Sequence, residues 1–183
     1  MDEKVILQHL KSGSREALSL LWQAHSSNVL NLAFRMMKDR DEAEDILMDV
    51  FVQAPKAVQG FRGESALGTW LFRLTVNACL MKLRAQKRHR ELEEEKLDVI
   101  IEEVLGKEEA KNWDFDAELL EKGLADLPAE TRSMLWLKDA EDLDVKDLAD
   151  IYRMPEGTIK ARLSRARNFV RKYLNDHLKG VRP

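Results

Sequence analysis

The sequence has few of the residues that interrupt helices or cross-link chains. It holds eight glycines, four prolines and one cysteine, Cys79, in 183 residues. A single cysteine cannot form an intramolecular disulfide, and a reducing compartment is its natural setting. Because Gly and Pro are scarce while Leu, Ala, Glu, Lys and Arg are abundant, long uninterrupted helices are expected. The composition therefore predicts an all-α protein.

Several function classes lack their sequence signatures. No apolar run approaches the ~20 residues of a membrane span, and no apolar core follows a basic N-terminal start. We therefore expect no membrane insertion and a cytoplasmic location. The histidines show no metal-ligand spacing, Cys79 has no CxxC partner, and no glycine-rich phosphate loop is present. We expect neither an enzyme nor a bound cofactor or metal.

Charge is distributed unevenly along the chain, although the net charge is only -3. Residues 82–90 carry five Lys or Arg and no acid, and residues 156–172 carry six Lys or Arg against one acid. Between them, residues 91–121 hold thirteen acids and three bases. The pattern is two cationic surfaces separated by an anionic connector, so the low net charge does not argue against nucleic-acid binding.

Apolar residues recur at three- and four-residue steps over most of the remaining chain, which predicts amphipathic helices. Trp22 and Met81 fall on the inward side of their helices in this pattern, and Pro55 is expected to kink or end its helix. The predicted helices cover residues 14–37, 41 to about 58, 65–89, 119–127 and 129–138. The sequence thus predicts two small helical domains, residues 1–90 and 116–183, joined by an acidic linker over residues 91–115.

Residues 144–174 have the pattern of a helix-turn-helix. Apolar residues recur at helical spacing from Val145 to Tyr152, the run Met-Pro-Glu-Gly then ends that helix, and Thr158 begins a longer one. Gly157 is expected to let the two helices pack closely, and an αL conformation at Arg153 is expected at a cost of about 1 kcal/mol.

The second helix of this unit is basic on its outward side. The apolar stripe Ile159, Leu163, Ala166 and Val170 points inward, and the cations point elsewhere. Such a helix suits a DNA major groove, where Arg and Lys contact phosphates and guanine edges. A solvated basic helix is the alternative interpretation. The turn residues and the two periodicities together favour DNA binding.

The helix predicted from residue 41 has an acidic outer face that also carries apolar residues. Two interpretations remain open from the residues alone, which are an ordinary solvated surface and a docking surface for a basic partner. The face consists of Glu44, Asp45, Met48, Asp49 and Val52.

Three runs occur in order along the chain: AEDILMDVFVQAPKAVQGFRGESALGTWLFRLTVNACLMKLR, then LADLPAETRSMLWL, then DLADIYRMPEGTIKARLSRAR. Together they resemble the extracytoplasmic-function (ECF) sigma factors of bacterial RNA polymerase. The most specific pieces are FRGES followed by TWLFR and an Asn, and LP with an Arg before GTIKARLSRAR. The resemblance covers nearly the whole chain apart from the linker and the extreme ends.

The resemblance implies how the N-terminal domain works. The acidic outer face would dock on the clamp helices of the largest subunit of core RNA polymerase. The turn and helix that follow would capture the minus-10 promoter element as a flipped, single-stranded base, with Phe61 and Asn77 lining the pocket and basic residues holding phosphates. The residues implied at this element are Ala57, Phe61, Arg62, Leu74, Asn77, Lys82, Arg84, Lys87 and Arg88.

The resemblance also implies that the C-terminal domain reads the minus-35 element and that an anti-sigma factor is a partner. Arg162 and Arg167 would lie at the DNA backbone, and the other residues closer to the bases. The residues implied at this element are Thr158, Lys160, Ala161, Arg162, Ser164, Arg165 and Arg167. Promoter recognition and promoter opening are therefore the expected function.

The sequence departs from the family pattern at four positions. Met48 stands where Gln is common, Pro55 lies inside the docking helix, Gly68 weakens the start of the next helix, and Arg153 replaces a frequent glycine. Two other functions remain as alternatives. One is a stand-alone helix-turn-helix regulator that binds a palindrome as a dimer. The other is a sigma-like mimic that sequesters an anti-sigma factor.

Overall fold

The structure, a computed structural model, describes residues 3–90 and 117–179, and the predicted acidic linker lies outside them. Every regular element in those two stretches is helical, as the composition predicted. The helices are α1 (Glu3–Lys11), α2 (Arg15–Met37), α3 (Arg40–Ala57), α4 (Leu67–Arg90), α5 (Ala117–Ala125), α6 (Ala129–Asp139), α7 (Val145–Tyr152) and α8 (Glu156–Lys179), with a 3-10 turn at Val58–Gly60.

Helix α3 begins one residue before the predicted start at residue 41. The Asp39 carboxylate accepts a hydrogen bond from the Glu42 amide at 2.9 Å, so Asp39 caps α3 and the helix begins at Arg40. Pro55 is accommodated near the end of α3, which finishes at Ala57 and passes into the 3-10 turn. The helix thus runs two residues past Pro55, and the bond that Pro55 cannot donate is the one to the Phe51 carbonyl in the preceding turn.

The core of the N-terminal domain is formed by one apolar stripe from each of α2, α3 and α4. Two residues that the sequence pattern predicted to face this core are exposed. Met81 is 68% exposed on the outer side of α4. Trp22 is 37% exposed because it lies at the edge of the core, where its ring packs edge-on against Phe51 at 4.7 Å between centroids. Periodicity assigned both to the core because helical spacing cannot tell the edge of a stripe from its centre.

The C-terminal domain packs α5, α6 and α7 around α8. Pro128 separates α5 from α6, as predicted. The second helix of the helix-turn-helix begins at Glu156 and not at Thr158, whose amide donates to the Pro155 carbonyl at 2.9 Å within the first turn. The expectation for Gly157 is wrong, because no atom lies within 4 Å of the position a Cβ would take there. The close approach occurs instead at Gly123, where a Cβ would come within 2.9 Å of the Tyr173 ring.

The two domains contact each other through α6 and α7 of the C-terminal domain and α2 and α4 of the N-terminal domain. Within residues 3–90 and 117–179, none of the helices combines the length and apolar character needed to cross a membrane.

Arg153 ends α7 in the left-handed region, with φ 54° and ψ 46°, as expected. Glycine adopts this conformation without the Cβ clash that a side chain meets. We predict that Arg153→Gly raises the free energy of unfolding by about 0.5–1 kcal/mol, measured by urea denaturation. The control is Lys146→Gly inside α7. Glycine at this helical position should lower the free energy of unfolding by about 1 kcal/mol. Equal effects of the two variants would contradict the strain at Arg153.

Candidate nucleic-acid interface

Helix α8 is divided into a buried side and an exposed side. Its apolar stripe is buried as the sequence predicted, from Ile159 to Val170. Four of the residues expected at the minus-35 element share the opposite, exposed side, and Thr158 is half-buried at its beginning. These exposed residues are Lys160, Ala161, Ser164 and Arg165. Their spacing of one, three and one residues keeps them on one face of the helix, the arrangement that a major groove admits.

The arginines of α8 differ in what they contact. Arg162 donates from Nη1 to a Glu130 carboxylate oxygen on α6 at 2.6 Å, and its side chain is 32% exposed. Arg167 pairs with Asp139 at 2.5 Å, also on α6. Among the residues that the structure describes, Arg165 meets no carboxylate, and its Nε donates to the Ala161 carbonyl at 3.4 Å. Arg165 is therefore the arginine most available to DNA, and Arg162 fastens α8 to α6.

A shallow basic cleft of about 290 Å³ lies between α6, α7 and α8. Lys138 and Arg171 line it together with three of the expected residues, Lys160, Ser164 and Arg167. The sequence reasoning missed Lys138, and it placed Arg171 among the outward cations of α8 without assigning it to the site. Arg171 follows Arg167 by one helical turn and was visible as a periodic cation, whereas Lys138 comes from α6 and only the fold brings it here.

The residues expected at the minus-10 element are partly brought together. Asn77 and Leu74 are half-buried on the outer side of α4, and the exposed Met81 and Arg84 continue the same face at steps of four and three residues. Met81 was missed as a site residue because a methionine at helical spacing is more often core. Exposure of a large apolar side chain beside an amide and a guanidinium is consistent with a surface that a partner covers.

Phe61 does not offer its ring to a base in this structure. It is 6% exposed and stacks on Trp70, with 5.4 Å between ring centroids. Ala57 is half-buried, and Arg62 is exposed with its guanidinium 4.0 Å from Glu64. Phe61 thus packs the turn before α4 against the core. The side of α4 around Asn77, and not the Phe61 ring, is accessible to solvent.

The basic end of α4 is attached to α3 through its first cation. Lys82 donates to Asp45 at 3.4 Å, and its side chain is half-buried. Arg84 and Lys87 are exposed. The side chain of Arg88 lies outside the described part of the chain. Of the described cations at this end of α4, Lys82 is therefore held against α3, while Arg84 and Lys87 are exposed.

The outer face of α3 is exposed along its whole length. Met48 is 55% exposed and Val52 is 73% exposed, and the three carboxylates of the face, Glu44, Asp45 and Asp49, surround them. Arg40 pairs with Glu44 at 2.9 Å one helical turn away. Two large apolar side chains exposed one turn apart on the same helix face are consistent with a surface that a partner covers.

A helix-turn-helix with an exposed basic face on one domain, and an acidic helix face beside a basic helix end on the other, are consistent with a two-domain DNA-binding transcription factor. A family model for sigma-70 region 2 matches residues 21–89, and one for sigma-70 region 4 matches residues 117–170. The RNA polymerase sigma-H factor of Pseudomonas aeruginosa is 28% identical over 97% of this chain and 96% of its own. The chain belongs to the ECF sigma factors of RNA polymerase.

Another relative and two solved structures are also similar to this chain. The ECF RNA polymerase sigma-E factor of Haemophilus influenzae is 28% identical over 93% of this chain and 94% of its own. The sigma factor RpoE of Bartonella quintana, solved in complex with the anti-sigma factor NepR, is 27% identical, covers 88% of this chain and 96% of its own, and has a TM-score of 0.65. CnrH, solved with the cytosolic domain of CnrY, shares the fold with a TM-score of 0.67 at 16% identity, over 95% of this chain and 97% of its own.

The different contacts of Arg162 and Arg165 predict different effects on stability. Arg162→Ala should lower the free energy of unfolding by about 1 kcal/mol, because a half-buried ion pair between α8 and α6 is lost. Arg165→Ala should leave it within about 0.5 kcal/mol, because its side chain is exposed. Thermal unfolding of both variants measures the difference. Equal destabilisation would show that Arg165 also supports the fold.

Proposed function

We propose that this sigma factor binds core RNA polymerase and promoter DNA through separate surfaces on its two domains. The domain of residues 1–90 docks on polymerase and engages the minus-10 element, and the domain of residues 116–183 reads the minus-35 element, with residues 91–115 as the link between them. The observation that carries the proposal is that one chain presents both an exposed basic face on α8 and an exposed acidic, apolar face on α3. The protein acts by binding and not by catalysis.

The minus-35 element meets the exposed face of α8 in this proposal. Arg165 supplies the main contact to a base edge, since its guanidinium has no carboxylate partner in the described part of the chain. Lys160 and Arg167 are held by Glu156 and Asp139, so they contribute mainly to phosphate contacts when those pairs exchange for DNA. Lys138 and Arg171 extend the same phosphate track through the cleft.

The minus-10 element meets the outer side of α4. The Asn77 amide offers two donors and one acceptor to the edge of an unpaired base, and Met81 provides an apolar surface one turn away. Arg84 and Lys87 hold the phosphates of the opened strand. Phe61 does not contact the base, and its stacking on Trp70 holds the turn that precedes α4.

Core RNA polymerase meets the outer face of α3. Burying Met48 and Val52 removes exposed apolar surface from water, which supplies affinity, while the carboxylates select a basic partner. A bound anti-sigma factor is a further partner in this proposal, supported by the similarity to sigma factors solved with anti-sigma factors. Because its partners are polymerase and promoter DNA, the protein acts in the cytoplasm.

Run-off transcription with purified core RNA polymerase on a library of two-element promoters tests the proposed function. We expect transcripts from a defined class of templates only when the protein is added. Two results would contradict it. One is binding of this protein to palindromic DNA without polymerase, and the other is binding to an anti-sigma factor without any promoter activity.

Arg165→Ala should weaken use of the cognate minus-35 element by about 5- to 100-fold, because one base contact contributes about 1–3 kcal/mol of discrimination. The measurement is run-off transcription from the cognate promoter and from promoters mutated one base at a time. The matched control is Lys172→Ala, another exposed cation of α8, which lies beyond the contact face. Equal loss of transcription on every upstream sequence would reduce Arg165 to a phosphate contact.

Val52→Lys should raise the Kd for core RNA polymerase by about tenfold or more, because a cation replaces an apolar contact within an acidic face. Fluorescence anisotropy of labelled protein titrated with core enzyme measures the affinity. Asn31→Lys adds the same charge at an exposed position of α2 and should leave the Kd unchanged. Unaltered binding by Val52→Lys would remove this face from the polymerase contact.

A further inference from the structure

Helix α1 belongs neither to the acidic face of α3 nor to the basic faces of α4 and α8. The family model for sigma-70 region 2 begins at residue 21, beyond α1. With nine residues, α1 is too short to be stable as an isolated helix, so tertiary contacts must hold it in place. These contacts are made with α2 and with the 3-10 turn that follows α3.

The C-terminal carbonyls of α1 are satisfied partly by this turn. The last four carbonyls of a helix have no partner within the helix. Those of residues 8–10 accept hydrogen bonds from the backbone amides of residues 12–14, at 2.9 to 3.0 Å. The Lys11 carbonyl instead accepts from the Gln59 side chain, whose Nε2 lies 2.9 Å away. A residue of the 3-10 turn therefore completes the end of α1.

A second contact joins α1 to the segment between α3 and α4, residues 58–66, which we call the α3–α4 turn. Gly63 of this turn has a φ of 76°, which glycine adopts without a Cβ clash. A Cβ at Gly63 would lie 3.4 Å from Cδ2 of Leu7, so the Leu7 side chain lies against the turn. Leu7 and Lys11 are one helical turn apart on α1. The α3–α4 turn is therefore held on α1 at two points.

The α3–α4 turn is packed on its inner side and open on its outer side. Phe61 is buried against Trp70, whereas the side chains of Arg62 and Glu64 are 83% and 78% exposed. In the part of the chain that the structure describes, no group accepts a hydrogen bond from the backbone amides of Gly63 and Glu64. Guanidinium groups and backbone amides are common donors to DNA phosphates. The outer side of the turn thus presents donors suited to an anion.

The start of α4, directly after this turn, is fixed by a contact with α2. A Cβ at Gly68 would come within 3.2 Å of Cε1 of His25, so glycine permits the close approach of the imidazole ring. Gly68 costs helix propensity at the start of α4, and this contact gives a packing reason for it. The direction in which α4 leaves the turn is therefore set by α2, and the position of the turn is set by α1.

We propose that α1 positions the α3–α4 turn for promoter opening, with Gln59 and Leu7 as the positioning residues. Held in this way, Arg62 and the turn amides meet phosphates of the strand that is opened at the minus-10 element. A turn that is already ordered loses less conformational entropy when it binds that strand, so more of the contact energy favours opening. This inference rests on the proposed function, because the opened strand is the ligand of the turn.

Trypsin cleavage after Arg62 in the free, full-length protein measures how firmly the turn is held, because cleavage needs local opening of the chain. Gln59→Ala should speed this cleavage by about 2- to 10-fold, since a hydrogen bond to α1 is lost. Leu7→Ala should act in the same direction, because its contact with the turn is lost. Gln23→Ala removes an exposed side-chain hydrogen bond within α2 and should change the rate by less than about twofold.

Cleavage after Arg40, an exposed residue at the start of α3, is the internal reference in the same digests. Its rate should stay at the wild-type value in Gln59→Ala, because only the turn is loosened. Wild-type cleavage after Arg62 in both Gln59→Ala and Leu7→Ala would show that α1 does not hold the turn. Equal acceleration after Arg40 and Arg62 in Gln59→Ala would also overturn the inference, because it would mean that the whole domain is destabilised.

Run-off transcription with core RNA polymerase compares a duplex promoter with the same promoter premelted across the minus-10 element. Gln59→Ala should lower transcription from the duplex promoter by about 3- to 10-fold, because the positioned turn favours opening. The premelted promoter needs no opening, so its transcription should fall by less than about twofold. Gln23→Ala should match the wild-type protein on both templates.

A merely structural defect in Gln59→Ala would reduce the amount of active protein and lower transcription from both templates equally. Equal losses on the two templates, or no loss on the duplex promoter, would therefore overturn the role of Gln59 in opening. Absence of transcripts with the wild-type protein on every template would overturn the proposed function and this role with it. The trypsin rates would still decide whether α1 holds the turn.

Discussion

Each surface assigned to a partner is the outer side of a helix whose inner side is buried. A chain with one cysteine and no sheet in its described parts is held together by apolar helix stripes, so those stripes determine which residues face outward. In α8 the buried run from Ile159 to Val170 leaves Arg165 on the exposed side. In α3 the buried run from Ala43 to Ala54 leaves Met48 and Val52 exposed. Burial of one face of each helix thus determines which residues on its other face are exposed to solvent and to partners.

Charges on these outer sides do not all serve the partner. Arg162 and Arg165 are three residues apart, yet one is paired with Glu130 and the other is not. A paired, half-buried arginine has exchanged hydration for an ion pair and would have to give it up to reach DNA. An exposed one loses only water. The electrostatic cost of binding DNA therefore differs along one helix, and Arg165 has the smaller cost.

The sequence predicted the fold well where periodicity and helix-breaking residues act locally. The α8 stripe, the break at Pro128 and the left-handed Arg153 are all local features, and all three are confirmed. The misassigned positions depend on what another helix places nearby. Gly157 faces open space, while Gly123, not singled out beforehand, contacts Tyr173 of α8. Spacing within one helix carries no information about that neighbour.

The candidate site shows the same division between local and distant information. Exposure of the acidic face of α3 followed from helical spacing, and the structure places all five residues on the surface. The burial of Phe61 against Trp70 and the exposure of Met81 did not follow, because each depends on which other elements pack beside that side chain. Resemblance to a family assigned Phe61 a role, but only tertiary packing shows whether its ring is accessible.

Arg132 connects the stability of the C-terminal domain to its position against the N-terminal domain. Its bonds to the Ala125 and Leu127 carbonyls stay within the C-terminal domain. Its bonds to the Arg35 and Met36 carbonyls reach the last turn of α2 in the N-terminal domain. Because carbonyls at a helix C-terminus have no partner within the helix and carry partial negative charge, a guanidinium can satisfy them without a carboxylate. One buried side chain thus stabilises α6 in its own domain and holds it against the other, so the cost of burying its charge is offset on both sides of the contact.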